Sequence, residues 1–499
     1  MPRFLSNFDN LILNTDTYKH SHWNLYPPGT EYVSSYIESR GGPFPAHLFV
    51  GLQAFLKKHL LRPITIDDID EAEIVTRQHE IPFNRDGWLG IVNEHGGFLP
   101  VEIEAVPEGT VLPNRNVLVQ VVNTDPRYHW ATSFFETALL RAVWYPTSVA
   151  TTSWIAKQLI REALEKTSDH PEILRDVLQD YGARGVSSQE SAALGGLAHL
   201  INFRQTNTIS GSLAATRYYN ALRPAISQPN SEHTTVTAWG RNNEAAAHAN
   251  LIEQYKGWPF VVAVSDSYDL DNAVRQIFGS ELKQQVIDSG STILVRPDSG
   301  DPATVISDTI EGLIDAFGAE TNSKGYKVLP DHVRAAQGDG LTIESLKQIY
   351  RELDRRGLAA DNIYLGMGGG LLQYINRDSL AFAQKASAAR INGEWVDVYK
   401  EPKTDTGKRS KRGRLALVYR DGEYRTVRRE EAAEGENLLR PVYRDGKLLV
   451  NHNFEDLIAR GERSVPRSYY GPVLDDVGAG GLHGEQGDTA AESVPRLSA

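Results

Sequence analysis

The sequence predicts an α/β protein: a parallel β/α barrel-like unit plus a discontinuous, mainly antiparallel β unit formed by the N- and C-terminal segments. Three observations carry that reading. Four apolar runs in the middle of the chain each end in a charged or glycine-rich turn and lead into a helical pattern. Alternating strand signals crowd the first 125 residues. Three Asn-Gly or Asp-Gly pairs punctuate the region after residue 388.

In the N-terminal part, Val101, Ile103 and Ala105 alternate with Glu102 and Glu104, the period-2 pattern of a half-buried strand. Val117, Val119 and Val121 repeat it, and residues 31–40 are similarly rich in strand formers. Segments 129–144 and 151–166 space their apolar residues as helices do. The four middle runs are FVVAVSDS at 260–267, ILVRPDSG at 293–300, VRAAQGDG at 333–340 and IYLGMGGG at 363–370. Asp266, Asp298, Asp339 and Gly368 mark their ends, at spacings of 32, 41 and 29 residues. That is the length of a strand–helix unit, and parallel strands need such crossovers. With no early GxGxxG turn, a barrel-like sheet is favoured over an open doubly wound one. Asn392-Gly393, Asp421-Gly422 and Asp445-Gly446 each sit between strand-like runs as hairpin signals. The expected division is 1–150 as the N-terminal part of the mixed domain, 151–387 as the barrel-like domain, 388–474 as hairpins rejoining the N-terminal domain, and 475–499 as a disordered tail.

Composition narrows the function. The 499 residues are 40% hydrophobic and 23% charged, with a formal charge of −12. An acidic chain is a poor general binder of nucleic acid or anionic membrane, so neither is expected as a partner. Cysteine is absent, which removes disulfides, thiolate nucleophiles and Cys-ligated metals. No apolar stretch approaches a membrane span and the N-terminus carries no signal-peptide core, so a cytoplasmic location is expected.

The strand-end turns carry the chemistry, since α/β barrels place their sites there. Gly368, Gly369 and Gly370 precede a helical pattern over 371–377. They suit a phosphate at a helix N-terminus, with Arg377 adding charge; a tight turn is the plain alternative. Arg296 and Asp298 offer a cation and a carboxylate two residues apart, for a phosphate, a ribose or a metal, or as an ion pair capping the next helix. Gly338 and Asp339 suit a ribose diol, or Asp339 is an N-cap. Asp266 and Asp269 raise the same choice. Tyr181 and Arg184 pair an aromatic ring for stacking with a guanidinium. His233 lies in a strand-like run at 231–239 and is either a structural histidine or an acid, base or phosphoryl acceptor. A basic run at 408–414 reads as a loop offsetting the acidic field near a polyphosphate, or as a solvated hairpin flank.

Taken together, these motifs resemble the nicotinamide phosphoribosyltransferase family of type II phosphoribosyltransferases. The resemblance runs over about residues 8–470. It includes NTDTYK at 14–19, WYP at 144–146, YGARGVSSQE at 181–190, EHT at 232–234, SDSYD at 265–269, RPDSG at 296–300, QGDG at 337–340, GGGLLQ at 368–373 and KRSK at 408–411. It implies formation of nicotinamide mononucleotide and pyrophosphate from nicotinamide and phosphoribosyl pyrophosphate in NAD salvage, stimulated by ATP and accompanied by Mg²⁺. It also implies a homodimer with active sites shared between subunits. The base would lie between Tyr181 and the partner's Tyr18, with Arg184, Asn207 and Arg296 around it. Asp298 and Asp339 would hold the ribose, and Gly338, Gly368, Gly369 and Arg377 the 5′-phosphate. Arg40, Lys385, Lys400 and Lys408 would be cations for pyrophosphate or ATP, and His233 the phosphorylated histidine with Asp266 in support. Direct metal ligands are not implied. Three departures stand out: Tyr181 where the family usually has Phe, Met367 and Ala383 in place of serines, and Asn207 in place of an aspartate that contacts the carboxamide. A nicotinate phosphoribosyltransferase and a catalytically silent nucleotide-binding protein are the competing expectations.

Overall fold

The computed structural model describes residues 9–401, 409–471 and 474. Lys408, the beginning of the basic run and the expected tail lie outside them. Among the described residues, two main sheets organise the chain. One is seven-stranded and antiparallel between every pair of neighbours. Its order is Glu394–Asp397, Phe382–Ile391, Thr30–Ser39, Val117–Asn123, Val101–Ala105, Arg440–Arg444 and Lys447–Leu448. Three N-terminal strands thus form the centre of the sheet and C-terminal strands its two flanks, one sheet built from both ends of the chain as the sequence led one to expect. All three hairpin pairs adopt positive φ at both residues, from +47° to +85°, the requirement of a type I′ turn. The middle hairpin, Leu415–Arg420 with Glu423–Arg428, stays outside the large sheet as a two-stranded ribbon.

The second sheet is parallel throughout, ordered Gln205–Thr206, Leu178–Asp180, Ile363–Met367, Val333–Gln337, Thr292–Arg296 and Phe260–Val264. Its two edges are joined through residues 226–230. Ile226 bonds to Arg204 and Thr206 on one edge, while the Pro229 carbonyl and Ser231 N–H bond to Val262 on the other. The result is a closed ring of seven consecutive parallel elements, with helices such as Gln189–Leu200, Pro302–Phe317 and Ile343–Arg355 in the crossovers. The seventh element, ISQPN, carries no strand signal because a proline and polar residues break its alternation.

Three local expectations need correction. Segments 129–144 and 151–166 are not two helices; one helix, Glu136–Thr167, runs through Pro146, and residues 145–160 are buried without interruption. The Ala142 carbonyl that Pro146 cannot engage lies against Gly51, where a Cβ would meet it at 2.5 Å, so close packing covers the break. This helix runs through residue 150, and strand Phe382–Ile391 through residue 388, so neither expected limit coincides with the end of an element. The strand-like run around His233 is a short helix, His233–Thr237, started by a reciprocal Glu232–Thr235 cap. The helix after the glycines is only Gly369–Leu372, and Arg377 lies beyond it in a turn.

Candidate active site

Helix caps decide what the strand-end aspartates are for. Asp266, Asp298 and Asp339 could each have capped the following helix. The caps are instead Asp269, which accepts from Asn272 N at 3.1 Å, Asp301, which accepts from Thr304 N at 3.0 Å, and Thr342, which accepts from Ser345 N at 3.3 Å. The three carboxylates are therefore left at the carboxyl end of the ring, where barrel enzymes work.

Asp266 has two jobs. One oxygen faces His233 Nε2 at 3.0 Å; the other accepts from Asp298 N at 3.0 Å and Ser299 Oγ at 2.5 Å. Burial alone would raise its pKa, but these donors hold it below the ordinary aspartate value. The His233 ring stays open to solvent, its Nδ1 4.0 Å from Asp298. Asp298 in turn faces the Arg296 guanidinium at 3.6 Å. A histidine oriented by a buried carboxylate on one nitrogen and open on the other is built to accept a group at the open nitrogen.

Tyr181 directly follows another ring strand, Leu178–Asp180. Its ring lies on Gly366, where a Cβ would meet Cδ2 and Cε2 at 2.8 Å, so glycine is required there for the ring to lie flat. Burial raises the phenol pKa, while the Arg296 charge and hydrogen bonds from Asn207, Asn230 and Arg296 oppose it. Beneath the ring is a narrow cavity of about 70 Å³ lined by Tyr181, Arg184, Arg296, Asp298 and Gly338 among others. Two donors at its wall, Arg296 Nε and Gln337 Nε2, are buried without a hydrogen-bond partner. Asn207 is not in that wall, and its Oδ1 accepts from the Ser227 hydroxyl at 3.0 Å.

The glycine turn divides by packing. A Cβ on Gly370 would meet the Leu341 carbonyl at 2.1 Å, so that glycine serves the fold. At Gly368 and Gly369 the nearest atoms are 3.5 and 3.3 Å away, and Gly338 has nothing nearer than 3.8 Å. Those three leave open backbone for a ligand. The first N–H groups of the short helix have no intrahelical acceptor.

Residues 177–447 match the model of the "Nicotinate phosphoribosyltransferase (NAPRTase) family", more than half of the chain. The chain belongs to that family. Residues 10–103 match "Nicotinamide phosphoribosyltransferase, N-terminal domain". Among family members, a protein named nicotinamide phosphoribosyltransferase from Xanthomonas campestris pv. campestris is 48% identical over 463 residues, covering 91% of this chain and 98% of that one. A protein of the same name from Acinetobacter baylyi is 29% identical over 483 residues, covering 89% and 95%. In fold, the chain is similar to the nicotinate-nucleotide pyrophosphorylase of Pyrococcus furiosus, with a TM-score of 0.59 at 17% identity over 92% and 97% of the two chains. Human nicotinic acid phosphoribosyltransferase gives 0.50 at 17% over 90% and 92%.

None of the remaining expected residues of this family member lies on a strand of the ring. Arg40 pairs with Glu38, and Lys385 donates to the Gln384 carbonyl. Burial lowers the pKa of Lys385; Glu136 opposes that, while Arg40, Lys19 and Lys400 lower it further, so these cations lie near one another. Tyr18 is exposed, beside a Lys19 that pairs with Glu136. Among the described residues, no hydrogen bond, ion pair or ring contact joins this group to the ring mouth. Arg377 is paired with Asp378 at 2.8 Å. A larger cavity of about 1030 Å³, lined by residues such as Asn14, His20, Arg141 and Ser191, holds none of the expected site residues. The only His/Asp/Glu group with metal-ligand spacing among the described residues is Glu94, His95 and Asp125. It is far from the ring in sequence, and Arg127 already pairs with both acids.

Sequence reasoning missed Gln179, Asn230, Ser299 and Gln337. Gln179 was reachable, since it shares a strand face with Tyr181 two residues on. Asn230 was not, because nothing marked its segment as part of the ring.

Proposed function

We propose that this chain is a nicotinamide phosphoribosyltransferase. The ring nitrogen of nicotinamide attacks C1 of the ribose, the bond from C1 to the pyrophosphate oxygen breaks, and its electron pair leaves with pyrophosphate. The observation that carries this reading is the convergence at one barrel mouth of Tyr181, Arg296, Asp298 and the His233–Asp266 pair, in a chain whose relatives bear that name. The nucleophile needs no base, so the site's work is to hold an aromatic ring and stabilise charge. Asp339, whose carboxylate has no intrachain partner among the described residues, and Asp298 suit the ribose hydroxyls. Gly338, Gly368 and Gly369 offer their backbone to the 5′-phosphate, and Arg377, paired only at the surface, is free to turn toward it.

His233 is the phosphoryl acceptor from ATP in this reading, with Asp266 holding its far nitrogen. Mg²⁺ fits the hard oxygen donors Asp298 and Asp339 together with a pyrophosphate, and when bound it supplies positive charge to the leaving group. In this reading the cations Arg40, Lys385 and Lys400, together with Tyr18, complete the barrel mouth of a second chain across a two-fold axis. Exposed Ile209 (84%), Leu213 and Leu222 (95%) on and after one ring helix supply an apolar surface to cover. Among the described residues no helix is long and apolar enough to cross a membrane; we assign the activity to the cytoplasm and to NAD salvage.

A nicotinate phosphoribosyltransferase is the second reading, favoured by one observation: Asn207 places no carboxylate to repel that substrate's own. Labelled nicotinamide and nicotinate, each with phosphoribosyl pyrophosphate and Mg²⁺, with and without ATP, separate the two. Nicotinamide mononucleotide as the main product, increased by ATP, is the expected result; no product from either base would refute the assignment.

A further inference from the structure

The Tyr181 hydroxyl is the centre of a hydrogen-bonded chain. Asn230 Nδ2 donates to Tyr181 Oη at 2.6 Å, and Oη donates to Gln179 Oε1 at 2.9 Å. Gln228 Nε2 donates to the same Gln179 oxygen at 2.7 Å. At its other end Asn230 accepts, through Oδ1, from Arg296 Nη1 at 3.3 Å. The chain thus runs from Gln228 through the tyrosine to the guanidinium that faces Asp298.

Stacking alone does not require any of this. A ring resting on Gly366 is fixed across one face but can still tilt in its own plane, and Arg296, 3.6 Å from Asp298 and within reach of the Tyr181 hydroxyl, is not fixed by either contact alone. Asn230 removes both freedoms at once. It is also on a rigid frame, because the backbone on either side of it bonds to Val262 and closes the barrel. The amide is the right group for the task. It donates to the hydroxyl and accepts from the guanidinium simultaneously, which neither a carboxylate nor an alkyl group can do.

We propose that Asn230 is a positioning residue that ties the ring of Tyr181 to the guanidinium of Arg296, so that the stacking face and the cation of the base pocket are set before the base arrives. The inference rests on reading this pocket as the base site. Ordering completed during folding is not charged again on binding, so the tie appears as base affinity.

The test is a double-mutant cycle on the full-length protein: wild type, Asn230→Ala, Tyr181→Phe and the double variant. Each single change is expected to raise the KM for nicotinamide about three- to tenfold, the scale of one hydrogen bond. KM for phosphoribosyl pyrophosphate should hold and kcat change little. The double variant should lose less than the two singles combined, because both changes delete the Asn230–Tyr181 bond. Additive losses, an unchanged nicotinamide KM, or a rise confined to the phosphoribosyl pyrophosphate KM would overturn the proposal. Thermal melts of the same four proteins without substrate read the tie independently of turnover. Non-additive losses of Tm support it and additive ones overturn it. A wild type inactive on nicotinamide would count against the function reading, and the melts would still decide the tie.

Discussion

Asp266 holds His233 at 3.0 Å through one oxygen and gathers Asp298 N and Ser299 Oγ through the other. The residue that orients the histidine therefore also shapes the turn carrying Asp298. His233→Ala should abolish ATP hydrolysis and the ATP-dependent gain while leaving ATP-independent synthesis measurable. Asp266→Asn should cut ATP coupling at least about tenfold, the order of one charge-assisted hydrogen bond, and also raise the KM for phosphoribosyl pyrophosphate. Coupled hydrolysis and synthesis, measured in parallel, check both. Wild-type coupling in His233→Ala would remove the histidine from the mechanism.

The separation of Tyr18, Arg40, Lys385 and Lys400 from the barrel mouth leads to a complementation test. Tyr18→Ala and Asp298→Ala should each be nearly inactive. Mixed and re-dimerised, they should recover up to about a quarter of wild-type activity: half the dimers are mixed, and each of those carries one intact site. Absence of any recovery in verified mixed dimers would mean that each chain completes its own site.

The adjacent glycines should fail in different ways. Gly370→Ala drives a Cβ into the Leu341 carbonyl at 2.1 Å and should lower Tm or prevent folding. Gly369→Val meets only the exposed Tyr374 ring, at 3.3 Å, which can move aside. It should fold normally and raise the KM for phosphoribosyl pyrophosphate at least about tenfold by crowding the backbone that meets the phosphate. Melting curves beside kinetics separate the two effects. Equal behaviour of both variants would contradict the division.

Much of this was legible in the sequence, and the reasons are local. The type I′ pairs and the strand–turn–helix rhythm are short-range signals, so the antiparallel hairpins and four of the ring strands could be read directly, whereas the short strands Leu178–Asp180 and Gln205–Thr206 gave too few residues to show a pattern. The use of each aspartate could not. Asp266 and Asp269, or Asp298 and Asp301, are equally good caps by composition, and only the fold decides which one bends back to the helix. His233 misled for a related reason: alternating polarity over 231–239 fits a strand, but the Glu232–Thr235 cap starts a helix. The ring's closure through residues 226–230 depends on two edges far apart in sequence and left no local trace.

Acid should destabilise the fold through its buried histidines. Burial lowers the pKa of His47, His59 and His248 to about 4. Between pH 6.5 and 4 the unfolded chain binds protons at these positions that the folded chain does not, so stability falls as pH falls through that window. Each contributes up to about 1.4 kcal/mol per pH unit. Tm measured from pH 7 to 4.5 should drop steeply, and His47→Gln, which is neutral throughout, should flatten the curve. A flat wild-type profile would show that these side chains gain protons in the folded state.

Asn207 sets the sharpest question about substrate choice. Its Oδ1 already accepts from the Ser227 hydroxyl, and its amide lies within hydrogen-bonding reach of the Tyr181 hydroxyl beside Arg296. It therefore contributes no charge of its own, and the Arg296 cation is left to attract a carboxylate as readily as a carboxamide oxygen. Asn207→Asp keeps the bond from Ser227, since a carboxylate also accepts. It adds a negative charge next to Tyr181 and Arg296, which offsets the cation and repels nicotinate. The ratio of kcat/KM for nicotinamide to that for nicotinate should rise by about 1–3 kcal/mol, the scale of charged against neutral hydrogen bonding. Most of the change should come from lost nicotinate activity, because the carboxamide has no charge to repel. If the ratio does not move, the charge at position 207 is not felt by the base substituent, and discrimination rests instead on the unpartnered donors Arg296 Nε and Gln337 Nε2.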